Sequence, residues 1–181
     1  MKGRKTILFV VEVAVFSALA LAFDFFCGLY GFAWLNGGSI SIAMLPIFIM
    51  CYRHGLKGGL LCGLLVGSIQ LLWADGFVHP VQAIIDYPAA YLVTGFAGIF
   101  FNQVKNSEGG IKNDYICLGI LLGGALRLLL ASISGTVYYG VDFIGSVLYN
   151  VTYLFPSTIL CMILACVVIS TMKQYIYKDL K

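Results

Sequence analysis

Long apolar runs separated by short polar breaks make up nearly the whole chain. A hydrocarbon core of about 30 Å needs roughly 20 apolar residues in helical form. Hydropathy predicts six spans: Ile7–Cys27, Ile40–Tyr52, Gly58–Trp73, Pro80–Phe101, Tyr115–Tyr139 and Gly145–Met172. The second is short. It begins inside GGSISIAMLP, residues 37–46, whose glycines, serines and proline are unusual at the start of a membrane span. The expected fold is an all-α integral membrane protein, one six-helix domain over residues 1–181.

Composition agrees with that pattern. The 181 residues are 61% hydrophobic and only 10% charged, too few polar groups to cover a water-soluble surface. Lipid must be the main solvent. Lys2, Arg4, Lys5, Arg53, Lys57, Lys105, Lys112, Lys173, Lys178 and Lys181 flank one side of the predicted spans, which is ten of the eleven basic residues. The opposite loops carry Asp75 and Asp142, with Asp24 and Asp86 nearby. By the positive-inside rule both termini are cytoplasmic. The net charge of +3 does not suggest nucleic acid.

The first 22 residues also look like a signal peptide, with Ala18-Leu19-Ala20 as a cleavage site. Glu12 within the apolar run argues against that, as does the reversed parity that cleavage would produce. The segment is read as a true span.

Six cysteines (27, 51, 62, 117, 161 and 166) are scattered through apolar segments without a CxxC pair. They read as small buried hydrophobes rather than disulfides or metal ligands. His54 and His79 fall at opposite membrane faces, and the sequon at Asn150-Val151-Thr152 lies within a span. No GxxxxGK[ST], GxSxG or HExxH motif occurs. The chain does not read as an enzyme, and no cofactor is expected. Uphill transport would need another subunit to hydrolyse nucleotide.

Small residues recur at helical spacing in two places. Gly55, Gly59, Gly63 and Gly67 form a four-residue stripe, expected to serve packing within the chain. Ala14, Ala18 and Ala22 form a second stripe, either internal packing or a docking surface for another membrane protein.

The candidate site lies in the external half. GLYGFAWLN, residues 28–36, brings Phe32 and Trp34 ahead of GGSIS and suits a lid over an outward pocket. Trp34 could instead be an interfacial anchor. GGSIS would let the chain turn tightly and bring backbone amides and serine hydroxyls near a ligand. Asp86 in VQAIIDYPAAY is an intramembrane carboxylate, a functional-site candidate by default, with Tyr87 beside it. SGTVYYG supplies Gly135, Tyr138 and Tyr139; SVLYN supplies Tyr149 and Asn150. An acid, several aromatic faces and an amide suit a flat, cationic, hydrogen-bonding small molecule. The competing reading pairs Asp86 with Arg127, the one basic residue deep in a span.

GGSISIAMLPIF, RHGLKGG, PVQAIIDYPAAY, SGTVYYG and YLFPS, in this order, resemble the thiamine-specific substrate-binding subunit family (ThiT) of energy-coupling-factor vitamin transporters. The resemblance runs along nearly the whole chain. It implies six helices in a bacterial cell membrane, a lid-like first external loop and a vitamin ligand. It also implies partners: a transmembrane coupling subunit, docked through Ala14-x-x-x-Ala18, and two ATPases. On family binding positions it places Trp34, Gly135 and Asn150, with Tyr87 beside the acid. Asp86 stands where the family usually has Glu, and Tyr139 where it has Trp. Ala131 and Gly145 replace a usual His and Tyr.

Three functions follow as expectations. One is thiamine binding from outside for an energy-coupled importer. The second is the same architecture binding a pyrimidine or thiazole precursor, and the third is a membrane scaffold.

Overall fold

A computed structural model describes residues 2–29, 39–74, 78–107 and 109–177, and every regular element among them is helical. Trp34, Phe32, Gly37 and Gly38 lie outside the described residues. Helix α1 runs over Lys2–Leu29, about 42 Å at 1.5 Å per residue.

The next helical stretch, Met44–Gln70, is broken at Gly55, whose φ of 70° and ψ of −159° belong to glycine alone. This divides it into α2 (44–54) and α3 (56–70), and the chain reverses between them. In a straight helix Cys51 and Gly59 would be about 12 Å apart. Instead, a Cβ on Gly59 would stand 2.3 Å from the Cys51 sulfur. Contacts with α1 tell the same story. Glu12, Ser17 and Asp24 meet Arg53, Cys62 and Gln70 in that order, so α1 and α3 run parallel. Ser41 meets Asp24 and Arg53 meets Glu12, so α2 runs the opposite way. Five stretches are long and apolar enough to cross a membrane, and one of them, Met44–Trp73, contains this reversal. The six-span reading therefore holds, with its second and third spans meeting at Gly55.

Helix α2 is the axis of the fold. Met44, Ile47, Phe48, Met50 and Tyr52 are all fully buried, as expected of a helix apolar on every side. Its eleven residues cover only about 16 Å, so residues 39–43 enter the bilayer as irregular backbone. Such backbone is tolerated only under protein cover. The Ser41 N–H donates to Ser157 Oγ at 3.1 Å, and Ala43 N–H donates to Ser41 Oγ at 3.1 Å.

Helix α4, Pro80–Asn106, is not uniform. Ordinary helix gives way to a π-turn at Ile85–Ala89 and to a 3-10 stretch at Gly95–Phe100. The glycine face of α3 lies against it, with Gly59 on Gly95, Gly63 on the Tyr91 carbonyl and Gly67 on Tyr87 and Pro88. The glycine stripe is thus internal packing. Gly55 is a correction to that stripe, since it forms the turn and not the helical face. Helix α5, Gly109–Tyr139, ends at Gly140 with φ 65°, and α6, Phe143–Thr171, packs antiparallel beside it. A short helix α7, Lys173–Ile176, follows.

The acid in the middle of α1 is satisfied. Glu12 accepts hydrogen bonds from Arg53 and pairs with His54, both at the α2–α3 turn. Arg53 also donates to the Ile176 carbonyl at 2.7 Å, so the two ends of the chain share one face of the bundle. The six cysteines are free and all buried or half-buried.

Candidate functional site in the half opposite the termini

The π-turn organises the site. Pro88 has no N–H to continue the helical ladder, and the turn widens so that Ala90 N–H reaches the Ile85 carbonyl five residues back. π-bulges inside helices concentrate at functional positions. This one carries Asp86, Tyr87 and Pro88, seated on Gly67 of α3 because only hydrogen leaves room there.

Asp86 is half-buried. Its Oδ2 accepts a hydrogen bond from Gln82 Nε2 at 2.7 Å, and the same nitrogen donates to the Tyr139 hydroxyl at 2.8 Å. Gln82 is 3% exposed, and its Oε1 accepts from Val78 N–H at 2.9 Å. One amide therefore ties the acid of α4 to the aromatic end of α5 and to the segment entering α4. Sequence reasoning passed over Gln82. The signal was present: Gln82 and Asp86 are four residues apart, one turn along a helical face.

Arg127 takes a different partner. Its guanidinium lies 3.8 Å from the centre of the Tyr91 ring, a close cation–π arrangement worth roughly 0.5–2 kcal/mol. Gln70 is a polar neighbour of Tyr91. Gln70 Nε2 in turn donates to Asp24 Oδ2 at 2.7 Å, and Ser41 Oγ donates to Asp24 Oδ1 at 2.9 Å. The acid in electrostatic reach of Arg127 through this chain is Asp24, on α1. The proposed pairing of Asp86 with Arg127 is not what the described residues form.

The α6 side of the site is a second hydrogen-bonded group. Asn150 Nδ2 donates to the Ser146 carbonyl at 2.8 Å, while its Oδ1 accepts from the Tyr153 hydroxyl. Tyr149 and Tyr153 stack edge to face at 5.8 Å. Ser146 Oγ donates to the Ser132 carbonyl at 2.9 Å, and it occupies the space that a Cβ on Gly135 would need. Tyr153 lies within electrostatic reach of both Asp86 and Arg127, which joins the two groups.

The structure thus gathers Asp86, Tyr139, Gly135, Tyr149 and Asn150 into one half of the bundle. Tyr87 is on the same π-turn, half-buried. Tyr139 is 56% exposed and stands at the rim. Tyr138 stacks on His79 at 5.6 Å. Ser41, expected near a ligand, joins the lead-in of α2 to Asp24 and Ser157.

The alanine stripe of α1 is elsewhere. Ala14 and Ala18 are exposed. Ala14 borders an apolar groove of about 370 Å³ between α1 and α3, lined also by Phe9, Val13, Leu61 and Leu65.

A multi-pass helical membrane protein with polar and aromatic side chains gathered in the half opposite its termini is the class that this arrangement defines. The family model described as "Thiamine transporter protein (Thia_YuaJ)" matches residues 10–177, and the chain belongs to that family. It is 32% identical over 191 residues to the thiamine transporter ThiT of Bacillus subtilis, spanning 99% of each chain. It is 23% identical over 195 residues to ThiT of Lacticaseibacillus paracasei, spanning 99% of this chain and 96% of that one. A solved structure of ThiT from Listeria monocytogenes shares the fold, with a TM-score of 0.81 at 22% identity, covering 95% and 98% of the two chains. The family is one of transporters rather than enzymes, and its bacterial members agree with a multi-pass protein of the cell membrane.

Proposed function

We propose that the chain binds thiamine from outside the cell, as the substrate-specific subunit of an energy-coupled vitamin importer. The observation that carries this reading is the Asp86 carboxylate on a π-turn, held by Gln82 through Oδ2 among tyrosine rings. A carboxylate held at one oxygen by a neutral amide can still accept from a cation or a hydrogen-bond donor. Arg127 rests on the Tyr91 ring and forms no ion pair with Asp86 among the described residues. Thiamine supplies both a cationic ring and a donor amine. Trp34, outside the described residues, belongs in this reading to a lid over the site.

The basic residues put the terminal face in the cytoplasm, so the site opens outward. Without a nucleotide-binding motif, the chain relies on a coupling subunit and its two ATPases. The exposed Ala14 and Ala18 would let a partner helix approach closely, as small-residue faces do.

Mass spectrometry of the ligand that copurifies in detergent, followed by titration with thiamine and with its pyrimidine and thiazole halves, tests the reading. Thiamine should copurify and bind more tightly than either half. A folded protein that binds none of the three sinks it.

A further inference from the structure

Ser134 on α5 is 1% exposed, and its hydroxyl has no hydrogen-bond partner among the described residues. A serine buried in a helix ordinarily turns its hydroxyl to the carbonyl one turn back. Its neighbours do so: Ser132 donates to the Leu128 carbonyl at 2.8 Å and Thr136 to the Ser132 carbonyl at 3.1 Å. On α6, Ser157 and Thr158 follow the same rule. Ser134 departs from it while buried, where an unpaired hydroxyl loses its water without recompense.

The direction of that hydroxyl follows from helical periodicity. Arg127, Ala131, Ser134 and Tyr138 share one face of α5. Both ends of the face are pinned to α4, Arg127 on the Tyr91 ring and Tyr138 on the His79 ring. The next face is occupied by Ser146 against Gly135, while Gly123, three turns before Ser134 on the same face, stands against the Thr94 backbone of α4. Since α4 and α5 run antiparallel between these pins, Ser134 falls at the level of the Gln82–Asp86 turn. Ala131, one turn deeper, brings no polar group of its own.

We infer that Ser134 is a ligand-binding residue, its hydroxyl hydrogen-bonding a ring nitrogen or exocyclic amine of the substrate beside Asp86. A hydroxyl can donate to the first or accept from the second. The inference rests on the thiamine-binding reading and adds a contact to that site.

The test is Ser134→Ala in the full-length protein, with thermal unfolding measured without ligand and thiamine titrated by calorimetry. The variant should unfold no earlier than wild type without thiamine, since no partner among the described residues is lost. Its thiamine affinity should fall about tenfold, the loss of one hydrogen bond. Wild-type affinity in the variant overturns the assignment. So does earlier unfolding without ligand, which would reveal an internal partner. Failure of the wild type itself to bind thiamine would overturn the transport reading and this contact with it, and that failure is visible before any variant is made.

Discussion

Gln82 holds Asp86: its amide nitrogen lies 2.7 Å from the carboxylate and 2.8 Å from the Tyr139 hydroxyl. One amide thus anchors the carboxylate of α4 and the rim tyrosine of α5 together. Asp86→Asn should keep the Gln82 contact, because an amide oxygen also accepts. Protein stability should change by less than about 1 kcal/mol, while thiamine binding weakens by about 2–5 kcal/mol, the usual cost of breaking a buried charge pair. Calorimetric titration beside a thermal melt separates the two effects. A large stability loss with unchanged affinity would show that the acid serves the fold.

Gly67 seats the π-turn. A Cβ there would lie 2.4 Å from the Tyr87 carbonyl oxygen and 2.7 Å from Pro88 Cα, both backbone atoms that cannot rotate away. Gly67→Val should therefore cost about 1–3 kcal/mol of stability, the range for overpacking. It should also weaken thiamine binding, because the displaced turn carries Asp86. Full affinity in this variant would show that the π-turn does not set the acid's position.

Glu12 and Arg53 form an ion pair with side chains only 16% and 12% exposed. Removing one partner leaves the other charge buried, at about 3–5 kcal/mol. Glu12→Gln should lower the unfolding temperature sharply, and Arg53→Gln introduced with it should recover part of the loss. Thermal melts of the single and double variants measure this. Because the pair lies near the termini and far from Asp86, thiamine affinity at low temperature should change little.

Ala14 and Ala18 are exposed on α1, away from the site. Replacing both with Leu should leave thiamine binding by the purified protein intact. Uptake by cells should drop, because bulky side chains hold a docking helix away. Loss of binding as well would place these alanines in internal packing.

Asn106 and Val141 are exposed at opposite ends of the bundle, between α4 and α5 and between α5 and α6. In a background without the six native cysteines, Asn106→Cys should react with a membrane-impermeant thiol reagent only from the cytoplasmic side. Val141→Cys should react only from outside. Labelling of both from one side would end the proposed orientation.

Apolar run length by itself determined the helical membrane class and the six spans, because each run must cross a fixed thickness of hydrocarbon. It also singled out Asp86, since a lone carboxylate in an apolar run has few structural reasons to exist. The glycine spacing foretold close packing of α3, which is a one-dimensional property of a helix face. Which helix receives that face is not, and only the folded chain shows α4 there. The same holds for partners. Nothing local says that Arg127 rests on Tyr91 while Glu12 waits for Arg53, because those pairs join residues 36 and 41 positions apart. Only tertiary structure showed that Gly55 reverses the chain, that Pro88 opens a π-turn under Asp86, and that Ser134 has no hydrogen-bond partner among the described residues. Each depends on where neighbouring helices place their backbone, and sequence periodicity records a residue's face but not what stands opposite it.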